Sequence, residues 1–378
     1  MSNVFQNRDA IQVLPGEGPT REPLAFHRRL PSYAPTPLVE LPGLARRLGV
    51  GGVWLKDESA RLGLPAFKIL GASWAVYRRL AELLGREPAW DTLAELRAQL
   101  APLGRLTLAA ATDGNHGRAV ARMAALLGLP AHILVPAGIA QARIDAIAGE
   151  GATVTVVDGS YDDAVDQAAA LADERTLVIS DTSWPGYEQV PRWVIDGYST
   201  ILWEVDDELA RRGEPGPDLV AVQIGVGAFA AAVARHYRRP GVEPRPRLVG
   251  VEPTSAACLL ASMRAGRPTL VPGPHTSIMA GLNAGLPSLV AWPVVSAGID
   301  LFVAIDDDRA REAMRLLAGE GVAAGETGVA GLGGLLELLA GDGAGSMRSA
   351  LGVTPATRVL LFSTEGVADQ AAYERIVG

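Results

Sequence analysis

The fold class of this chain is decided by residues 106–136, LTLAAATDGNHGRAVARMAALLGLPAHILVP. A short apolar run at 106–112 leads through a turn into a helical pattern that ends at Gly128, and a second apolar run follows at 131–136. Short apolar runs bounded by turns are typical of buried strands, and a helix between two of them makes a parallel β–α–β unit. This stretch therefore predicts a parallel sheet covered by helices.

The same alternation continues beyond this stretch. Further elements of the first series are predicted as helices at 141–151 and 161–175 and as strands at 153–159 and 176–181. A second series follows the linker GEPGPD, with strands at 219–225, 247–253 and 359–364 and a helix at 229–239. Two such series predict an α/β protein with two units, each a parallel sheet with helices on both faces.

Composition limits the class of protein. The chain has 378 residues, of which 48% are apolar and 20% charged, and this length suits about two domains of ~150 residues. The net charge of −8 argues against nucleic-acid and anionic-membrane partners, which need a basic surface. The single cysteine, Cys258, excludes an intrachain disulfide and a cysteine-cluster metal site. Because neither a signal peptide nor a membrane-spanning run is visible, we expect a cytoplasmic protein.

Lysine usage singles out one residue. Lys56 and Lys68 are the two lysines among 34 basic residues, and all the others are arginine. Arginine can replace a surface lysine, but its guanidinium stays protonated and cannot act as a nucleophilic amine. Lys68 also stands at the start of a helical run, where the helix dipole disfavours another positive charge and so favours the neutral amine. The pattern predicts that Lys68 is a nucleophile.

A second candidate site is the glycine-rich turn after the strand at 219–225. Gly225, Gly227 and Ala230 form a G-x-G-x-x-A pattern, and Glu252 ends the next strand. Small residues let backbone N–H groups approach a phosphate at a helix N-terminus, and the added acidic residue is typical of dinucleotide-binding units. The turn predicts a phosphate-bearing cofactor, with close packing of the chain as the alternative.

The third candidate is the turn TDGNHG at 112–117, which joins a predicted strand to a predicted helix. Backbone N–H groups at a helix N-terminus can bind a carboxylate or a phosphate. Asp113 also suits a helix cap, and Asn115 and His116 also suit a turn, so a purely structural role stays open. His116 has no cluster of His or Cys around it in the sequence, so no metal site is predicted.

These three loops together resemble those of the fold type II enzymes that use pyridoxal 5′-phosphate (PLP), the tryptophan-synthase-β-like family. That family has a lysine shortly after an aromatic residue or serine, an Asn-His-Gly loop beside the cofactor ring, and a glycine-rich turn for the phosphate. Within it, the chain is most similar to the diaminopropionate ammonia-lyases. The similar stretches follow one another along nearly the whole chain, at 33–50, 56–71, 111–121, 158–165, 181–191, 224–230, 251–262, 277–285, 325–334 and 362–366.

The resemblance implies an architecture and a set of partners. The architecture is two doubly wound α/β domains with the cofactor in the cleft between them. The large PLP-binding domain would comprise 1–90 and 195–378, and the small α/β domain 91–194. The implied cofactor is PLP, the partner is a small amino-acid substrate, and the oligomer is a homodimer.

The resemblance also implies roles for individual residues. Lys68 would bind PLP covalently and act as a base toward one substrate enantiomer, with Asp113 as the base toward the other. Asp181 would be a second catalytic carboxylate, with a strand-end cap as its alternative role. The other implied cofactor ligands are Asn115 for the ring hydroxyl, Gly225, Val226, Gly227 and Ala228 for the phosphate, and Ser363 or Thr364 for the pyridine nitrogen.

The implied activity is the α,β-elimination of 2,3-diaminopropionate to pyruvate and ammonia. Asp113 favours this reaction over that of a serine or threonine dehydratase, since those enzymes usually have serine or a small neutral residue there. A carboxylate suits a substrate with two amino groups. Two other classes stay open: an NAD-dependent oxidoreductase, which rests on the glycine-rich turn and Glu252, and a PLP-binding protein without catalytic activity.

Overall fold

The computed structural model describes residues 3–112, 114–341 and 343–378, and its two sheets with surrounding helices confirm the predicted α/β class. The described strands are β1 (Val4–Gln6), β2 (Leu38–Glu40), β3 (Gly52–Asp57), β4 (Thr107–Ala111), β5 (Ala131–Pro136), β6 (Thr153–Val157), β7 (Thr176–Val178), β8 (Leu219–Gln223), β9 (Arg247–Pro253), β10 (Leu301–Ile305) and β11 (Arg358–Ser363). The described α-helices are α1 (Glu22–His27), α2 (Pro42–Leu48), α3 (Lys68–Leu84), α4 (Leu93–Leu100), α5 (Asn115–Leu127), α6 (Gln141–Ala148), α7 (Tyr161–Ala170), α8 (Gln189–Arg212), α9 (Ala228–Tyr237), α10 (Cys258–Ala265), α11 (Trp292–Gly298), α12 (Asp307–Gly319), α13 (Ala330–Ala340), α14 (Ala344–Leu351) and α15 (Gln370–Val377).

The first of two compact units comprises the described parts of 1–20, 35–60 and 201–378. Its seven strands have the order β1-β10-β9-β8-β11-β3-β2, and the five inner strands are parallel. Strand β8 pairs with β11 through Leu219 and Val359, so the carboxyl ends of these two strands are neighbours. The chain leaves β8 toward β9 and returns on the other side of β8 as β11. In doubly wound sheets, ligands bind where the strand order reverses in this way.

Helix α13 shows how closely the first unit is packed. Its sequence, AGLGGLLELLA, is apolar almost all round because the helix contacts β8, β9 and β10 as well as α12 and α14. A Cβ atom added at Gly334 would lie 2.4 Å from the Val251 side chain, and one added at Gly333 would lie 2.7 Å from the Ile305 side chain. Glycine at these two positions therefore allows the helix to lie directly on the sheet.

The second unit comprises 21–34 and the described parts of 61–200, and its four-stranded parallel sheet has the order β6-β5-β4-β7. Strands β4 and β7 pair through Leu108 and Leu177, so their carboxyl ends are neighbours. Helix α5 packs on β4 and β5. A Cβ atom added at Gly117 would lie 2.3 Å from the Thr112 side chain and 2.6 Å from the Ile133 side chain. Glycine thus allows the first turn of α5 to lie on the sheet.

The division into units differs from the domain boundaries predicted by the resemblance. Residues 61–90, expected in the large domain, group with the second unit, because α3 packs against α5. Residues 21–34 also belong to the second unit, because α1 packs against α3. On the other side, the predicted boundary near 194–195 and the observed one at 200–201 both fall within α8.

Candidate functional site

Two loops lie side by side at the carboxyl end of the second unit's sheet. Strand β4 leads into the turn before α5, and β7 leads into Ile179, Ser180 and Asp181. His116, the second residue of α5, donates from Nε2 to the carbonyl oxygen of Ile179 at 2.7 Å. Because a carbonyl oxygen can only accept, the proton of a neutral His116 lies on Nε2 and its Nδ1 is the acceptor. His116 therefore ties the two loops together.

The amine of Lys68 lies against one of these loops. Helix α3 begins at Lys68, and Phe67 before it provides no side-chain cap. Lys68 Nζ donates a short hydrogen bond to Asp181 Oδ2. The Lys68 side chain is 22% exposed and that of Asp181 is 7% exposed, so the amine is accessible and the carboxylate is enclosed. Sequence reasoning emphasised the helix dipole, which favours a neutral amine; the adjacent carboxylate acts in the opposite direction and favours the ammonium form.

The charge of Asp181 is set by competing effects. Burial raises the pKa of this carboxyl, but the charge of Lys68, the electrostatic effect of the nearby His116 ring and the hydrogen bond from Lys68 outweigh burial and lower it to about 2. The Nδ1 atom of His116 lies 3.9 Å from Asp181 Oδ2. Asp181 is therefore an ionised carboxylate at neutral pH, placed to bind an ammonium group.

The start of α3 is fixed by close packing within the second unit. A Cβ atom at Gly197 would lie 2.4 Å from the carbonyl oxygen of Leu70, and one at Gly71 would lie 2.6 Å from the Tyr198 ring. The fully buried His27 contacts the same Leu70 oxygen through Nε2 at 3.0 Å. These contacts hold the first turn of α3, which carries Lys68, in one position.

Among the predicted residues of this unit, the structure brings Lys68 and Asp181 together. Asn115 is the first residue of α5 and is half-buried. Asp113 lies outside the described residues. Sequence reasoning treated His116 as a turn residue and missed its contacts with the loop after β7. The Asn-His-Gly match was the signal that could have marked it.

The glycine-rich turn of the first unit follows β8 as predicted. Gly227 has φ +99° and is the N-cap residue of α9, a conformation that side chains rarely adopt. A Cβ atom at Gly225 would lie 3.1 Å from the Gly281 carbonyl oxygen. Ser288 donates its N–H to the Val226 carbonyl oxygen at 2.9 Å, which holds the turn in place. Within the described ranges, no acceptor is bonded to the N–H groups of the turn, so they are available to an anion.

Ser363 and Thr364 lie at the end of β11, on the strand next to that turn. Both residues are buried. The Ser363 hydroxyl donates to the Glu365 carbonyl oxygen at 3.4 Å, whereas Thr364 Oγ1 accepts from Gln223 Nε2 at 2.9 Å. The two hydroxyls therefore differ in their hydrogen-bond roles.

The other lysine of the chain, Lys56, is buried in an ion pair. Lys56, on β3, is 1% exposed and donates from Nζ to Glu204 Oε2 and to the Thr36 carbonyl oxygen, each at 2.7 Å. Glu204 also accepts from the Thr36 N–H. This enclosure makes Lys56 inaccessible to a cofactor or substrate, whereas the Lys68 side chain is 22% exposed.

Glu252 does not have the role that the dinucleotide pattern assigns to it. It is fully buried, and its two carboxylate oxygens accept the N–H groups of Leu259 and Leu260, each at 2.8 Å. The Glu252 carboxyl group thus caps the first turn of α10 and is not placed to bind a ribose. The NAD-dependent oxidoreductase alternative required Glu252 to bind a ribose. Because Glu252 caps a helix instead, that alternative is no longer supported by this residue.

Replacing Glu252 with glutamine tests this capping role. We expect E252Q to lower the free energy of unfolding by about 1–3 kcal/mol at pH 5, because an amide nitrogen cannot accept one of the two N–H groups. Burial raises the pKa of Glu252 from 4.5 to about 8, so this carboxyl stabilises the fold below pH 4.5 and the contribution is lost as pH rises through 8. The difference between wild type and variant in urea unfolding should narrow from pH 5 to pH 9. Equal stability of E252Q and wild type at pH 5 contradicts the capping role, and a difference that widens over this range contradicts the raised pKa.

Candidate metal ligands, the cysteine and the apolar helices of the described ranges bear on other kinds of site. These residues contain no group of three or more His, Cys, Asp or Glu side chains that could hold a metal ion. Cys258 is buried, with Sγ 3.7 Å from the Gly225 carbonyl oxygen. No helix in this part of the chain is long and apolar enough to cross a bilayer.

Comparison with known proteins decides the family. A family model described as pyridoxal-phosphate dependent enzyme matches residues 30–351. The chain belongs to this family. Its cofactor is PLP, and it is an enzyme of the fold type II architecture.

Several members of the PLP-dependent enzyme family are similar over almost the full chain. A diaminopropionate ammonia-lyase of Salmonella typhimurium is 39% identical over 367 residues, covering 94% of this chain and 91% of that protein. The crystal structure of diaminopropionate ammonia-lyase from Escherichia coli in complex with D-serine matches with a TM-score of 0.91 and 32% identity, covering 99% and 96% of the two chains. The same enzyme in complex with an aminoacrylate-PLP azomethine reaction intermediate matches with a TM-score of 0.88 and 32% identity over the same shares.

The residues of each unit fit the PLP of this family. The glycine-rich turn offers N–H groups at the start of α9, which suit a phosphate. Thr364 offers a buried hydroxyl at the neighbouring strand end. In the second unit, Lys68 offers an accessible primary amine beside Asp181. These are the groups that an aldehyde-bearing phosphate cofactor requires.

Proposed function

We propose that this enzyme catalyses the α,β-elimination of 2,3-diaminopropionate to pyruvate and ammonia. The observation that carries the proposal is the 39% identity, over 94% of the chain, to a diaminopropionate ammonia-lyase. The pairing of Lys68 with Asp181 supports it, because an enclosed carboxylate beside a reactive amine suits a substrate with a second amino group.

Each unit has its own proposed cofactor ligands. In the first unit, the N–H groups of Gly225, Val226, Gly227 and Ala228 bind the phosphate, and Ser363 or Thr364 faces the pyridine nitrogen. In the second unit, Lys68 binds the cofactor covalently and Asn115 donates to the ring hydroxyl. When bound, the cofactor supplies an electron sink for the negative charge that develops at the substrate Cα.

Two carboxylates and one amine move or hold protons in this proposal. Lys68, once its amine is released, removes the Cα proton of one enantiomer, and Asp113 removes that of the other. Asp181 is ionised and binds the ammonium group on Cβ. Keeping that nitrogen protonated makes it a good leaving group, so Asp181 promotes its departure as ammonia.

The proposal also covers assembly and location. The family resemblance favours a homodimer located in the cytoplasm. The amino-acid substrate is consistent with the D-serine complex of the Escherichia coli enzyme.

A turnover assay tests the function directly. The purified protein is mixed separately with D- and L-diaminopropionate and with D- and L-serine, and pyruvate and ammonia are measured. We expect diaminopropionate to be the best substrate. In D113S we expect kcat/KM for one enantiomer to fall by ~10²–10⁴-fold, while kcat/KM for the other enantiomer stays near the wild-type value. Faster turnover of serine than of diaminopropionate would favour a dehydratase. If D113S turns over both enantiomers equally slowly, or both at the wild-type rate, the stereospecific role of Asp113 is wrong.

A further inference from the structure

A buried glutamine contacts Thr364, one of the two residues proposed to face the pyridine nitrogen. Gln223 is the last residue of β8 and is 3% exposed. Its Nε2 atom lies 2.9 Å from Thr364 Oγ1 and 3.0 Å from the Phe362 carbonyl oxygen, both on the neighbouring strand end. The carbonyl oxygens of Gly328 and Thr327 lie farther away, at 3.2 Å and 3.4 Å. One amide group thus connects β8, the end of β11 and the loop before α13.

The surroundings fix the orientation of this amide. Three of the four nearby oxygens are backbone carbonyls, which can only accept, so the NH₂ group must face them and not the amide oxygen. Within the described ranges, Oε1 has no hydrogen-bond partner. Of the four acceptors, Thr364 and Phe362 are nearest to the two amide hydrogens.

This orientation constrains the hydroxyl of Thr364. One lone pair of Oγ1 is used by Gln223, so the hydroxyl hydrogen points to a different acceptor. No residue in the described part of the chain accepts that hydrogen. Ser363, in contrast, already donates its hydrogen to the Glu365 carbonyl oxygen. Thr364 is therefore the hydroxyl that is ready to donate to a ligand.

We propose that Gln223 is a positioning residue that sets Thr364, and not Ser363, as the hydrogen-bond donor to the pyridine nitrogen of PLP. This inference rests on the proposed cofactor ligands. A nitrogen that accepts from a hydroxyl carries no proton of its own. If it were protonated, Thr364 would have to accept from it and would leave its own hydrogen buried without an acceptor. Gln223 thus keeps the ring nitrogen unprotonated, which limits carbanion stabilisation and favours prompt elimination.

The direct readout is the ¹⁵N resonance of PLP labelled at the pyridine nitrogen and bound to the holoenzyme. For wild type we expect the position of an unprotonated, hydrogen-bonded nitrogen. In Q223M the carbonyl oxygens lose their donor and attract the Thr364 hydrogen, so the resonance should shift toward the protonated position. In T364V, which is nearly isosteric, it should shift toward an unprotonated nitrogen without a hydrogen bond. S363A should keep the wild-type resonance.

The controls separate this inference from the proposed function. Q370M makes the same chemical change at an exposed position on α15 and should match wild type. If S363A moves the resonance while T364V does not, or if T364V and wild type have the same resonance, the role of Gln223 is overturned while PLP binding stands. If Q223M does not fold, T364V and S363A still decide between the two hydroxyls. A wild-type protein that binds no PLP would instead overturn the proposed function.

Discussion

Replacing Lys68 with alanine is expected to abolish covalent binding of PLP and to lower kcat/KM for diaminopropionate by ~10⁴-fold or more. The variant removes both the amine that we propose binds the cofactor and the proposed base for Cα, and one proton-transfer group alone contributes ~10²–10⁴-fold. The measurement is borohydride reduction of the holoenzyme followed by peptide mapping. In wild type the label should lie on the peptide that contains Lys68, and K68A should carry none.

The chain provides an internal control for this experiment. Lys56 is the other lysine, and it is enclosed in an ion pair with Glu204, so its peptide should stay unlabelled. K68R is the matched variant, because arginine keeps a positive charge near Asp181 but cannot bind the cofactor covalently. We expect K68R to unfold in urea near the wild-type midpoint and still lack the label. A label on Lys56, or no label in wild type, would contradict the assignment of Lys68.

Replacing Asp181 with asparagine should give the second-largest effect. We expect kcat/KM for diaminopropionate to fall by ~10²–10⁴-fold, because the neutral amide no longer keeps the Cβ nitrogen as an ammonium group. Elimination from serine should fall much less, because its leaving group carries no such charge. The decisive quantity is the ratio of kcat/KM for diaminopropionate to that for serine, measured on the same preparation.

The control for D181N makes the same change on the surface. Asp166 lies on α7 of the same unit and is exposed, so D166N should leave kcat/KM for both substrates unchanged. Borohydride labelling of Lys68 should persist in D181N. If D181N lowers kcat/KM for both substrates by the same factor, Asp181 acts through the position of Lys68 and not on the leaving group.

Much of the fold could be predicted from local sequence. The apolar runs at 219–225 and 131–136 are buried strands because parallel strands with helices on both faces need apolar side chains on both sides. Lys68 at the start of α3 and Asn115 at the start of α5 also follow from local patterns. These features depend on residues close together in the chain.

Features that depend on strand order could not be read in this way. Asp181 lies beside Lys68, 113 positions away, because β7 pairs with β4 and α3 packs against α5. No local pattern gives these contacts. The spacing of Glu252 matched a dinucleotide pattern, yet its carboxylate caps α10. Gln223 lay inside the predicted apolar strand at 219–225, and its contacts with the end of β11 form only because β8 and β11 are neighbours.

The enclosed ion pair of Lys56 and Glu204 has a practical consequence for chemical labelling. With Lys56 1% exposed, Lys68 is the side-chain amine that a water-soluble acylating reagent can reach in the native protein. Under the proposed role of Lys68, its acylation competes with cofactor attachment, so the acylated fraction measures the share of molecules without cofactor. Modification of Lys56 marks molecules that have unfolded. One reagent and one mass spectrum would thus quantify coenzyme loading and denaturation in the same sample.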